Sequence, residues 1–360
     1  MAVGDGGCSK TLWGVRSAMP DGRWTFTEEL TAFAEACPRE PSAHIAPIIE
    51  RLRRPVRVAV SGRQGVGRGT VEAALRARGV RVVDTETASD VRVLVIAEAF
   101  KPEDGTLLAT HPQPTLIVLT KADLSGSGGA GPLANATRRA EGISARTGAP
   151  VVAMIGLLAT GAALDESLIG ALRTLVAVPA DLSSVDRFVT ADHPVDRVLR
   201  ARLLDRLDRF GIAHAVLALA EGADPAAVEA RLQKLSNVDG VLAGVHAAAA
   251  PVRYLRTQQA LTELRWLAVA SGDDAVADFL TADATAMAVM AAAVDVVEAA
   301  SGSVGSVDRG GHGDPANAHA RRAVRWHRYA RGPVSALHRE CAADIVRGSL
   351  RMLDQVGTMR

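Results

Sequence analysis

Two short stretches hold residue types that could do chemistry together. The first is Val60-Ser61-Gly62-Arg63-Gln64-Gly65-Val66-Gly67-Arg68-Gly69-Thr70. A β-branched run with Val56, Val58 and Val60 leads into its four glycines, and a helix-compatible segment, Thr70 to Arg78, leads out. Backbone N–H groups converging at a helix N-terminus bind an anion, and only glycine lets the backbone come that close. Gly62, Arg63, Gln64, Gly65, Val66, Gly67, Arg68, Gly69 and Thr70 are therefore the expected phosphate cradle. The second stretch is Thr120-Lys121-Ala122-Asp123, a polar turn directly after the apolar run Thr115-Leu116-Ile117-Val118-Leu119.

The first stretch has the spacing G-x-x-x-x-G-K-[ST], with Gly62 and Gly67 as its glycines. Arg68 stands at the lysine position and Gly69 at the magnesium-binding hydroxyl. Such a loop, followed after a strand by [NT]-K-x-D, resembles the translation-factor-related branch of P-loop GTPases. The preceding helix and the following helical region resemble bacterial dynamin-like members of it. The resemblance covers residues 45–178 and implies GTP or GDP as ligand. It implies that Asp123 accepts hydrogen bonds from guanine N1 and N2, that Lys121 lies along the base, and that Thr120 replaces the commoner asparagine. It also implies Mg2+. The family's D-x-x-G maps onto Asp84-Thr85-Glu86-Thr87, which makes Asp84 the candidate metal residue but lacks the glycine. The family's base-stacking Ser-Ala loop maps onto Ile155-Gly156-Leu157-Leu158, which does not match. Arginine keeps the lysine's charge on a longer, planar fork. Losing one electrostatic contact to the transition state costs about 3 kcal/mol. Hydrolysis is thus expected to be slow or absent, and no catalytic residue is assigned.

The surrounding elements are read from periodicity. Leu30, Phe33 and Ala34 predict one helix, and Ile45, Ile48, Ile49 and Leu52 a second that ends at Pro55. Strands are expected at 56–60, 80–83, 91–96, 115–119 and 150–155, with helices at 70–78, 103–110, 133–147 and 164–176 between and after them. Strands alternating with helices predict an α/β fold, a doubly wound and mainly parallel sheet, over 55–178. Residues 1–54 read as a loose N-terminus with leading helices. Residues 179–360 read as an all-α domain, with helices near 194–220, 224–235, 240–248, 255–270, 273–300 and 316–354. Ser and Gly in 301–315 predict a flexible linker.

The chain has 360 residues, 48% of them hydrophobic, and a net charge of +1, which gives no global attraction to nucleic acid. Only Lys10, Lys101, Lys121 and Lys234 among 41 basic residues are lysine, a bias of GC-rich bacterial genomes. Cys8, Cys37 and Cys341 lack metal spacing and predict reduced thiols in a cytoplasmic protein. Ala282 to Ala300 is interrupted by Asp283, Asp295 and Glu298 and reads as an amphipathic helix. Asp192-His193 ahead of Pro194 reads as a helix cap. Arg321 to Arg331 interleaves basic residues with Trp326 and Tyr329. It reads first as a helix pair in which Val324, Trp326, Tyr329, Leu337, Ile345 and Leu350 pack inward, and second as a peripheral membrane contact. The leading expectation is a guanine-nucleotide-binding regulatory or scaffolding subunit with a protein partner, either a catalytically intact GTPase or a second copy. The alternatives are a ligand-free interaction module working through its helical domain and a membrane-associated dynamin-like protein.

Overall fold

The computed structural model describes residues 25–36, 41–126, 131–159, 164–301 and 315–358. The N-terminus expected to be loose, Cys8, Cys37 and all but the ends of the expected 301–315 linker lie outside the described residues. Two helices come first, α1 (Phe26–Ala36) and α2 (Pro41–Arg53). Five strands follow: β1 (Arg57–Ser61), β2 (Arg81–Val83), β3 (Val91–Ala97), β4 (Thr115–Thr120) and β5 (Val151–Ala153). They form one all-parallel sheet in the order β2-β1-β3-β4-β5. The helices α3 (Arg68–Ala77), α4 (Pro102–Ala109) and α5 (Gly131–Thr147) make three of the four connections, and a short 3-10 turn, Glu86–Ala88, lies in the one from β2 to β3.

The α/β expectation holds because β3 and β4 are apolar along their length and buried on both faces, as central parallel strands must be. One residue in that run is charged. Arg92 is 1% exposed, and its guanidinium donates to the Leu107 and Leu108 carbonyls at the end of α4 and to the Thr115 hydroxyl. A buried cation at a helix C-terminus thus satisfies carbonyls that the helix leaves open. Helix α3 ends in a Schellman motif: Gly79 N–H reaches the Arg76 carbonyl and Val80 N–H the Leu75 carbonyl, both at 3.0 Å. Gly79 has φ +77° and no atom within 4 Å of where a Cβ would sit. Gly79→Ala should therefore cost about 1 kcal/mol through the backbone alone, read from denaturant midpoints.

The chain divides elsewhere than at 178. The described residues of 56–248 form one compact unit, and those before 56 join those of 249–360 in the other. Five helices beyond β5 stay with the sheet after the short α6 (Gly156–Ala159). They are α7 (Glu166–Ala177), α8 (Val185–Thr190), α9 (Arg197–Ala220), α10 (Pro225–Ser236) and α11 (Val238–Ala248). The reason is direct bonding. Ile155 N–H donates to the Ser236 carbonyl at 3.0 Å, and Asn237 Nδ2 to the Ala153 carbonyl at 2.7 Å. A Cβ on Gly244 of α11 would lie 2.9 Å from Leu116 of β4. Leu203, Leu207, Ile212 and Ala215 of α9 share one core with Leu94, Ile117 and Leu172. The expected cap at Asp192 moves to Asp196, whose carboxylate accepts from Val198 N–H, while His193 Nδ1 accepts from Val195 N–H.

In the second unit, α1 and α2 pack with α12 (Ala250–Ser271), α13 (Asp274–Thr281) and α14 (Asp283–Ser301). Phe33 stacks on Phe279 with ring centroids 4.7 Å apart. Helices α15 (Pro315–Ala330) and α16 (Ala336–Thr358) complete it. The helix expected over 273–300 is two helices, bent by 50° at Ala282, whose backbone is extended. The one expected over 316–354 breaks at Gly332-Pro333. Trp326 and Ile345 are buried as expected, whereas Val324 and Leu350 are exposed. No single described helix is long and apolar enough to cross a membrane.

Candidate functional site

In a parallel sheet ordered 2-1-3-4-5, ligands bind beyond the carboxyl ends of the strands, where the strand order reverses between β1 and β3. The Gly-rich loop leaves β1 at that place. Gly62 has φ +145°, and a Cβ there would lie 2.3 Å from the Val95 carbonyl oxygen of β3, so the loop starts in contact with its neighbour strand. Gly65 and Gly67 follow at φ +82° and +90°, and Gly67 caps α3 without a side-chain bond.

The loop is held at two further points. Arg63 donates to both oxygens of Asp104, which is fully buried and also accepts the Lys101 N–H at 2.9 Å. The Thr120 hydroxyl lies 2.6 Å from the Val66 carbonyl and 3.0 Å from the Ile96 carbonyl. Thr120 thus ties the end of β4 to the loop after β1, and the next residues turn sharply. Lys121 sits in the left-handed region at φ 55°, and Asp123 lies in a short 3-10 turn.

A cavity of about 300 Å³ opens where these elements meet. Gly67 and Thr70 line one side, Thr120, Lys121, Asp123 and Leu124 another, and Ile155, Gly156, Leu157 and Asp208 close it. Asp123 is half-buried, and burial pushes its carboxyl above the usual aspartate range. The backbone N–H of Asp123 itself and the charge of Lys121 oppose the shift, while the negative charge of Asp208 adds to it.

The expected site residues therefore divide. Gly67, Thr70, Thr120, Lys121 and Asp123 face one cavity; Gly62, Arg63 and Val66 shape the loop behind it. Gln64, Gly65, Arg68 and Gly69 are exposed on the loop and at the start of α3. Asp84, the expected metal residue, does not line the cavity. Its side chain is 95% exposed and pairs with Arg76 at 3.6 Å. Among the described residues no three His, Cys, Asp or Glu side chains gather to hold a metal. With no side-chain oxygen at Gly69 and Asp84 on the surface, the residues do not fit the family's Mg2+ site.

Sequence reasoning missed Asp208 and gave no role to Ile155-Gly156-Leu157. The first carries no local motif. The second is a wall by shape, since a Cβ on Gly156 would lie 3.1 Å from Thr70 Cγ2. Comparison of the chain with protein-family models, with curated proteins and with solved structures gives no match in any of the three.

Proposed function

We propose that the protein binds a guanine nucleotide in this cavity, with weak or absent hydrolysis, and acts as a regulatory or scaffolding subunit. Its partner would be a catalytically intact GTPase or a second copy of the chain. One observation carries the reading: a single cavity joins the end of the Gly-rich loop, Gly67 and Thr70, to Lys121 and Asp123. Phosphates would lie against the N-terminus of α3, and the N–H edge of the base would meet the Asp123 carboxylate. Arg68 at the lysine position and Gly69 without a hydroxyl support binding without efficient turnover.

The test is thermal stability with GDP, GTP or ATP, with and without magnesium. Ligand at 100 times its dissociation constant adds about 2.7 kcal/mol. A guanine-selective, magnesium-independent shift is expected, and Asp123→Ala should abolish it. Equal guanine affinity in that variant would sink the assignment. The expected pH dependence has a definite sign. Only the carboxylate accepts two N–H bonds, and the folded Asp123 carboxyl holds its proton to higher pH than an ordinary aspartate. Affinity should therefore fall on acidification, beginning above the ordinary aspartate range of about 3.9.

A second reading, a ligand-free interaction module, is favoured by Trp266 and Val269 on α12, which are 72% and 79% exposed. It predicts no shift with any nucleotide.

A further inference from the structure

Helix α9 is two helical segments joined at Asp208, whose φ of 53° and ψ of 176° belong to neither. A non-glycine residue held in this region is strained, and such residues concentrate at ligand sites. Its Oδ1 accepts the N–H of the next residue, Arg209, at 2.6 Å. N-caps instead serve the second or third N–H of the following helix, so ordinary capping does not account for the geometry. The kink brings this half-buried carboxylate to the wall of the cavity that Lys121 and Asp123 also line. Ile155 and Leu157 supply apolar surface beside it, and Lys121 supplies a positive charge. Two carboxylates at one apolar-walled cavity suit a ligand edge made of several N–H donors, and they oppose an edge that presents a carbonyl oxygen.

We propose that Asp208 is a second specificity-determining acceptor for the base, taking an exocyclic amino hydrogen that Asp123 leaves over. The inference rests on the guanine-nucleotide reading and adds a residue to it. Guanine offers a ring N–H and an amino group on one edge; hypoxanthine lacks the amino group, and xanthine replaces it with a carbonyl. Asp208 should thus favour GDP over IDP and penalise XDP.

Titration calorimetry of the full chain with GDP, IDP and XDP tests this. Asp208→Asn makes the side chain a weaker acceptor and adds a donor for the xanthine carbonyl. Asp208→Gly removes the carboxylate and relaxes the backbone at the same time, so it guards against a variant that merely misfolds. Both variants are expected to lose about tenfold in GDP affinity, the worth of a hydrogen bond to a charged group, while IDP changes little. XDP should bind Asp208→Asn more tightly than the unaltered chain. If the unaltered protein binds GDP and both variants keep its GDP/IDP and GDP/XDP ratios, the role of Asp208 is overturned and the guanine reading stands. If the unaltered protein binds none of the three, both fall.

Discussion

Replacing Gly62 with alanine should cost about 3–5 kcal/mol, the largest single effect expected in the sheet unit. Two costs combine. An L side chain at φ +145° is strained, and the new Cβ would stand 2.3 Å from the Val95 carbonyl oxygen. That obstacle is backbone in a central strand, hydrogen-bonded in register with its neighbours, so it cannot rotate aside. Relief would have to come from moving β1 away from β3, which breaks the closest approach at the switch point. Denaturant unfolding would show the midpoint falling, and any nucleotide-dependent shift would vanish with it. Gly65→Ala is the control. It has a positive φ of +82° but no atom within 4 Å of the added carbon, so only the smaller conformational cost applies. Equal stabilities for the two variants would refute the close-contact argument.

The second large effect is expected in the other unit. Asp344 on α16 is 6% exposed and accepts from the Tyr254 hydroxyl at 2.8 Å, from Gln258 Nε2 at 2.6 Å and from Arg347 at 2.9 Å. Tyr254 is fully buried, and burial first, then this bond, push its hydroxyl pKa up. Asp344→Ala strands the buried tyrosine hydroxyl away from water, worth about 1–3 kcal/mol, and takes the partner of the half-buried Gln258 amide, which adds about 1 kcal/mol, for a total of about 2–4 kcal/mol. Arg347, with its side chain 58% exposed, returns to solvent at little cost. Adding Tyr254→Phe should recover part of the loss, because the orphaned hydroxyl goes with it. A double variant as unstable as the sum of the singles would show that the two groups are not coupled.

The sheet was legible because its strands are continuous β-branched runs between glycines and prolines, a signal that survives without tertiary context. Arg92 escaped notice because one charge inside Val91–Ala97 does not disturb the apolar pattern, and its partners Leu107, Leu108 and Thr115 are a crossover away. Half of the cavity was legible through local motifs at Gly67, Thr70 and Lys121–Asp123. Asp208 was not, since a kink inside an alanine- and leucine-rich helix leaves no periodic mark. The boundary at 248 was equally hidden. Helical periodicity tells which face of α9, α10 or α11 is apolar, but not which core that face will meet. The contacts of Gly244 with Leu116 and of Asn237 with Ala153 decide it.

The unit made of α1 and α2 with α12–α16 is split in the chain by the whole of residues 56–248. On a ribosome this imposes a delay. Phe26, Leu30, Phe33, Ile45, Ile48 and Ile49 emerge first, but Leu261, Leu264 and Phe279, which cover them, follow only after some 200 further residues. At about 5–20 residues per second that is roughly 10–40 s with an uncovered apolar face. The nascent α1–α2 pair is therefore the segment a chaperone would be expected to hold, while the intervening α/β unit folds ahead of the helices that flank it.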